Sequence, residues 1–234
     1  KQFTEIELAK RPYVTLTPTS DGAEIIISIE NMSEFDSVEY ELTYLADNPQ
    51  ISGEKIQRGS TGTDVDTKAE KYKKSMLLGT ASKGTRSPDL GVSDGKLALH
   101  MFKGDIEYLS ESNWDLYEIG AKATEIKDRD GKFTVALPVL GKDYWMILAD
   151  TVGIPKTDKF DITNASLPLY GTFSIAPKFA KAAKITITTD LQAAKLFAYS
   201  NQESKWDEIK STLQNGQITA TVDSFSTFVL VSSK

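Results

Sequence analysis

The 234-residue chain has no cysteine and a single histidine, His100. The first absence excludes disulfides, thiol catalysis and thiolate metal sites, and the second excludes any site that needs two imidazoles. Positive charge is in short supply: 27 Lys and Arg stand against 33 Asp and Glu, for a net charge of −6. That balance argues against binding to a phosphate backbone, so no nucleic-acid partner is expected. Long hydrophobic runs are missing as well. The longest, Tyr144-Trp145-Met146-Ile147-Leu148-Ala149, falls far short of the roughly 20 residues that span a bilayer. Residues 1–10 hold no apolar core of the roughly 7–15 residues a signal peptide requires, so an exported protein would be present here in mature or trimmed form. A cysteine-free composition suits the cytosol, and equally the secreted bacterial proteins that rely on β-sandwich cores.

What the sequence does contain is alternation of period two. Val38, Tyr40, Leu42 and Tyr44 point one way while Glu39, Glu41 and Thr43 point the other, which describes a half-buried antiparallel strand. The Asp21-Gly22 turn signal separates strands expected at 13–17 and 23–29, predicted to pair as a hairpin or lie as near neighbours. Further strands are expected at 75–78, 96–102 and 114–119. A second series follows at 133–137, 144–148, 171–176, 184–188, 196–199, 217–222 and 227–231. Two stretches, 64–74 and 190–194, are helix-like. Seven of the fifteen glycines fall within residues 53–95, which predicts long surface loops or a partly mobile insertion. Many short strands at intervals of about 10–15 residues predict an all-β protein of two tandem β-sandwich domains, Ig-like or ZU5-like in type. The expected division is an N-terminal extension at 1–9, one sandwich at 10–121 that carries the Gly-rich loop region 53–95, and a second at 122–234.

Few residues carry recognisable chemistry. His100 lies on the face of its strand opposite Leu97, Leu99 and Met101 and has no neighbouring nucleophile or orienting group in a known motif, so a structural role is expected. Calcium needs only carboxylates and carbonyls, and Asp128-Arg129-Asp130-Gly131 resembles the opening of a calcium loop. Asp128 and Asp130 are therefore the metal-ligand candidates, although a third carboxylate and a distal bidentate Glu are absent. Asp130-Gly131 also reads as a plain hairpin turn. Asp64-Val65-Asp66 is a second calcium candidate. Gly79-Thr80-Ala81-Ser82-Lys83-Gly84-Thr85 has glycines and a lysine but not the order of a phosphate loop. The cluster Lys68, Lys71, Lys73 and Lys74 reads as a solvated segment. No cofactor is required by any motif, and calcium is the one ion considered.

The C-terminal stretch carries a family-like signal. Leu196-Phe197-Ala198-Tyr199 is followed by Lys205-Trp206, then by residues 217–222, then by Asp223-Ser224-Phe225-Ser226-Thr227-Phe228-Val229-Leu230-Val231. This order resembles the closing strands of β-sandwich domains on bacterial and archaeal surface proteins, and is similar to the end of ZU5 and GAIN-type sandwiches. The resemblance covers about forty residues closely, and residues 123–234 loosely. It implies an extracellular or cell-envelope setting. In GAIN-type domains a histidine two residues before a Ser or Thr nucleophile supports self-cleavage. Carried over, the nucleophile falls on Ser226 and the base position on Ser224, which cannot accept the proton near neutral pH. An intact chain is therefore expected. Trp206 is expected to lie across the open end of the sandwich, with Phe228 and Leu230 turned inward beside Phe225.

Taken together, these features predict a non-enzymatic cell-surface or secreted module for structure, adhesion or assembly, binding a protein or glycan through loops and strand edges, with self-assembly as one outcome. The alternative is a carbohydrate-binding module that uses Trp114, Trp145 or Tyr144 as a stacking face.

Overall fold

A computed structural model describes residues 4–233. Its strands are β1 (Tyr13–Pro18), β2 (Glu24–Glu30), β3 (Ser37–Asp47), β4 (Lys55–Gly62), β5 (Lys71–Leu77), β6 (Gly79–Ser82), β7 (Thr85–Pro88), β8 (Ser93–Lys103) and β9 (Ile106–Ile119). They continue as β10 (Thr124–Lys127), β11 (Phe133–Leu137), β12 (Tyr144–Asp150), β13 (Ala165–Ser174), β14 (Ala183–Thr188), β15 (Ala194–Ser200), β16 (Lys205–Ile209), β17 (Ser211–Gln214), β18 (Gln217–Val222) and β19 (Thr227–Ser232). Two one-turn 3-10 helices, Leu8–Lys10 and Ile162–Asn164, complete the list, with no α-helix among the described residues. The all-β expectation holds. Each strand anticipated from alternation is present, and β1 pairs with β2 as a hairpin.

The chain is organised around one nine-stranded antiparallel sheet in the order β16-β15-β19-β13-β12-β9-β8-β3-β4. A three-stranded sheet, β1-β2-β5, packs on one face of it and a five-stranded sheet, β10-β11-β14-β18-β17, on the other. Side-chain parity along β12 produces this arrangement. Ile147 and Ala149 enter the first core with Trp114, Leu97 and Ile27, while Met146 and Leu148 enter the second with Phe133, Tyr170 and Phe228. Successive side chains of a strand point to opposite faces, so a strand roofed on both sides must be apolar throughout. That is why the longest apolar run of the sequence lies here. Six register pairs, from Tyr144↔Ile119 to Ala149↔Trp114, carry the sheet across the boundary expected near residue 121.

A third cluster covers the outer face of β13, β15 and β19. Trp206, Phe197, Val229 and Val231 pack there with Ile154, Leu169 and, from the N-terminal segment, Leu8. Phe228 and Leu230 point into the second core, with Phe225 against it. The opposite face of β19, Thr227 and Val229, is buried too, and the Thr227 hydroxyl meets the Tyr13 hydroxyl of β1 at 2.7 Å. Burial raises the Tyr13 pKa above its ordinary value. The phenol therefore stays neutral and anchors the first strand to the last.

Two expectations need correction. Residues 64–74 and 190–194 are not helical. The end of the first is strand β5, whose alternation Tyr72, Lys74, Met76 lies along β2, and the second is a loop that enters β15 at Ala194. Residues 53–95 are mostly strand rather than loop or insertion, since they hold β4, β5 and the β6–β7 hairpin. Gly62 accounts for part of the disguise: a Cβ there would sit 2.2 Å from the Tyr40 ring, so glycine within β4 makes room for a core tyrosine.

Candidate functional site

Asp128 and Asp130 lie in the turn joining β10 to β11. The turn closes through the Asp128 N–H donating to the Phe133 carbonyl (2.9 Å) and the Gly131 N–H donating to the Asp128 carbonyl (3.1 Å). Asp128 Oδ1 accepts the Phe133 N–H at 2.8 Å. The hairpin reading of Asp130-Gly131 therefore describes the backbone, with Gly131 at a φ of 67°. The turn sits over a cleft of about 160 Å³, where Asp115, Asp150 and Asn113 also converge. Burial lifts the Asp128 carboxyl above its ordinary pKa, and the charges of Asp130 and Asp150 add to the effect. The same acids, after burial, push the Tyr170 phenol upward.

The cation of this cleft is Arg129. Its Nε donates to Asp115 Oδ2 (2.8 Å), its Nη1 to Asn113 Oδ1 (3.2 Å), and its Nη2 to the carbonyls of Gly95 (2.9 Å) and Trp114 (2.8 Å) and to Asp115 Oδ1 (3.0 Å). Asp150 in turn accepts the Asn113 backbone and side-chain N–H groups. This guanidinium fork clips the β10–β11 turn to the start of β8 and to β9. Among the described residues, no group of three or more His, Cys, Asp or Glu side chains could hold a metal ion. Asp115, Arg129 and Asp150 were not distinguishable in the sequence. The one trace is Asp150, the polar residue that closes the apolar run of β12.

The remaining sequence candidates are each tied into the fold. His100 Nδ1 lies 2.9 Å from Glu107 Oε1 on the open face of the large sheet. Asp64 pairs with Lys74 and accepts from the Tyr72 hydroxyl, while Asp66 Oδ1 caps the Lys68 N–H. Lys71, Lys73 and Lys74 belong to β5. Ser226 is buried, its N–H donating to Thr172 Oγ1 (3.0 Å) and its carbonyl accepting from the Thr172 N–H (2.9 Å). Ser224 bonds Asp223 instead. A chain left to stand should give one species near 25.8 kDa by intact mass, and a fragment beginning at Ser226 would contradict that expectation.

Of the three aromatic side chains considered for stacking, Trp114 and Tyr144 are buried in the cores. Trp145 is only half-buried. It lines a groove of about 370 Å³ with Leu90, Val92, Leu116 and Glu118, and Leu90 is 74% exposed. Gly22, at a φ of 67°, rests on the indole, since a Cβ there would come within 2.4 Å of it. Asp21 and Asp89 complete the rim. Asp21 is held below the ordinary carboxylate range by the Thr19 hydroxyl and then by the Ala23 N–H.

The free sheet edges form the other candidate surface. β1 is covered, with five of its six residues buried and β12 and β13 against it. β10 and β17 have four residues each, and β16 has five, including Lys205, Asp207 and Glu208. β5 carries three lysines among seven residues. β4 differs: eight residues, KIQRGSTG, pair with β3 on one side only, and alternate positions are exposed. No protein-family model matches the chain, and no curated protein is similar enough to be matched.

Proposed function

We propose that this chain is a non-enzymatic structural, adhesion or assembly module of a cell-surface or secreted protein, binding through a strand edge and its flanking loops. The observation that carries this reading is the eight-residue β4 edge, which is long and free while the other edges are short, charged or covered. Exposed edges attract partner strands, and folded proteins usually blunt them, so an unblunted one fits a recognition role. Side chains that could serve chemistry are placed structurally: His100 is paired with Glu107 and Arg129 with Asp115, and Ser226 is buried with its backbone bonded to Thr172. The extracellular or cell-envelope setting rests on the C-terminal resemblance. Turnover of glycan and ester panels by the purified chain is the test. The expected result is none, and robust hydrolysis would overturn the proposal.

The Trp145 groove favours carbohydrate binding as a second reading. An indole beside carboxylate acceptors offers an apolar face and hydroxyl partners to a sugar ring. Glycan-array binding abolished by Trp145→Ala would support it, and an array without hits would remove it.

A further inference from the structure

We infer that β4 is a self-complementary edge, at which two copies of this chain pair antiparallel about a two-fold axis through Gly59. The inference rests on the proposed edge-binding reading and names its partner.

An isologous contact requires each strand to face its own reverse. Directly opposed residues in an antiparallel pair share a face, so a two-fold axis normal to the sheet must pass through a residue position rather than between two. With Gly59 on the axis, Arg58 faces Ser60, Gln57 faces Thr61 and Ile56 faces Gly62 of the second copy. No like charges are opposed. Moving the axis to Arg58 would set two arginines face to face. The cations of the strand are also held within their own chain: Lys55 by Asp47 (2.7 Å) and the Gly91 carbonyl, and Arg58 by Asp89 (3.5 Å). The strand holds no proline and no acid, so each outward N–H and C=O is free to join the ladder. Pairing would continue the nine-stranded sheet across the axis. A seam of one strand pair is small, so the dimer is weak, with a Kd above about 1 μM.

Two double substitutions read the register directly. Gln57 and Thr61 are exposed and share the face that carries Glu41, which sits opposite Thr61 within the chain. Gln57→Lys with Thr61→Lys opposes like charges twice across the axis, and Gln57→Glu with Thr61→Lys opposes unlike charges twice. The two proteins differ only in the sign at position 57. Sedimentation equilibrium of the unaltered chain and both doubles, at low salt and over a range of concentrations, should show a reversible dimer. The first double should weaken it by about tenfold and the second should tighten it by a similar factor. Matching circular dichroism and melting curves verify that each double is folded. If either double fails to fold, the charge-reversed set, Gln57→Glu with Thr61→Glu against Gln57→Lys with Thr61→Glu, gives the same comparison of like and unlike charges across the axis. A monomer at all concentrations up to about 1 mM, or a dimer whose constant does not move in opposite directions in the two doubles, overturns the inference. Neither result bears on the turnover panels, so the wider proposal stands or falls separately.

Discussion

The two ends of the nine-stranded sheet are treated differently. In the second half, β15, β19 and β13 are covered on both faces, by the five-stranded sheet and by the cluster around Trp206 and Val229. In the first half, β3, β8 and the N-terminal part of β9 are covered on one face by β1, β2 and β5, and the other face presents Glu39, Glu41, His100 and Glu111, exposed or half-buried. The sequence reflects the contrast. β19 reads Thr-Phe-Val-Leu-Val-Ser, whereas β3 alternates Glu-Tyr-Glu-Leu-Thr-Tyr. A doubly covered strand gains burial on both sides at the cost of recognition surface, while a singly covered one keeps a face and an edge for partners. The Trp145 groove and the β4 edge both lie in or against the first half. Binding capacity therefore concentrates where burial is incomplete.

Separating the halves puts the largest demand on this comparison. Residues 122–234 keep the five-stranded sheet and most of the second core, but lose the β9 ladder, the Tyr13–Thr227 bond and the cover over Ile147 and Ala149. The fragment is expected to fold, with a cooperative but lower thermal midpoint than the whole chain. Loss of any cooperative transition would mean that the two cores form one unit. Next in size, Trp114→Ala should cost about 3–5 kcal/mol in denaturant unfolding, because its indole is buried in the first core. Glu41→Ala on the open face of the same sheet should stay within about 0.5 kcal/mol.

A smaller effect is expected at the acidic cleft. Arg129→Ala removes the guanidinium bonds to Asp115, Asn113 and two backbone carbonyls, at roughly 1.5–3 kcal/mol. The loss should appear in whole-chain stability and leave a separately expressed second half unchanged. The smallest effect concerns an exposed charge cluster near β16. Glu203 is held down to about 2 by hydrogen bonds from Lys178 and Lys205. Its carboxylate is thus favoured in the folded state, and its contribution is complete above the ordinary Glu range and is lost as pH falls toward 2. Salt screens an exposed pair, so an NMR titration at high ionic strength should move the Glu203 midpoint upward.

Period-two alternation placed the hairpin of β1 and β2, strand β3 and the closing strand β19, since each has at least one face whose burial depends on that pattern. Strand β4 escaped because Gly59 and Gly62 mimic turn residues, although Gly62 is there for the Tyr40 ring. β5 was partly hidden by its lysines, which are solvated on an edge yet keep strand geometry through β2. In the acidic cleft, Asp128 and Asp130 were visible from their turn. Asp115 and Asp150 were not, because they reach the same cleft from strands far apart in the chain.

The sequence by itself determined the fold class, the strands with an alternating face, the absence of thiol chemistry and the hairpin turn at Asp130-Gly131. These depend on local rules: side-chain period, turn conformation and the presence of a residue type. Only the tertiary structure decided that both cores meet on β12, that Arg129 occupies the acidic cleft, that Trp145 alone of the three stacking candidates reaches a groove, and that β4 is left as a free edge. Each of those outcomes depends on which strands become neighbours. Pairing is a long-range choice made by the burial of whole faces, and no single segment encodes it.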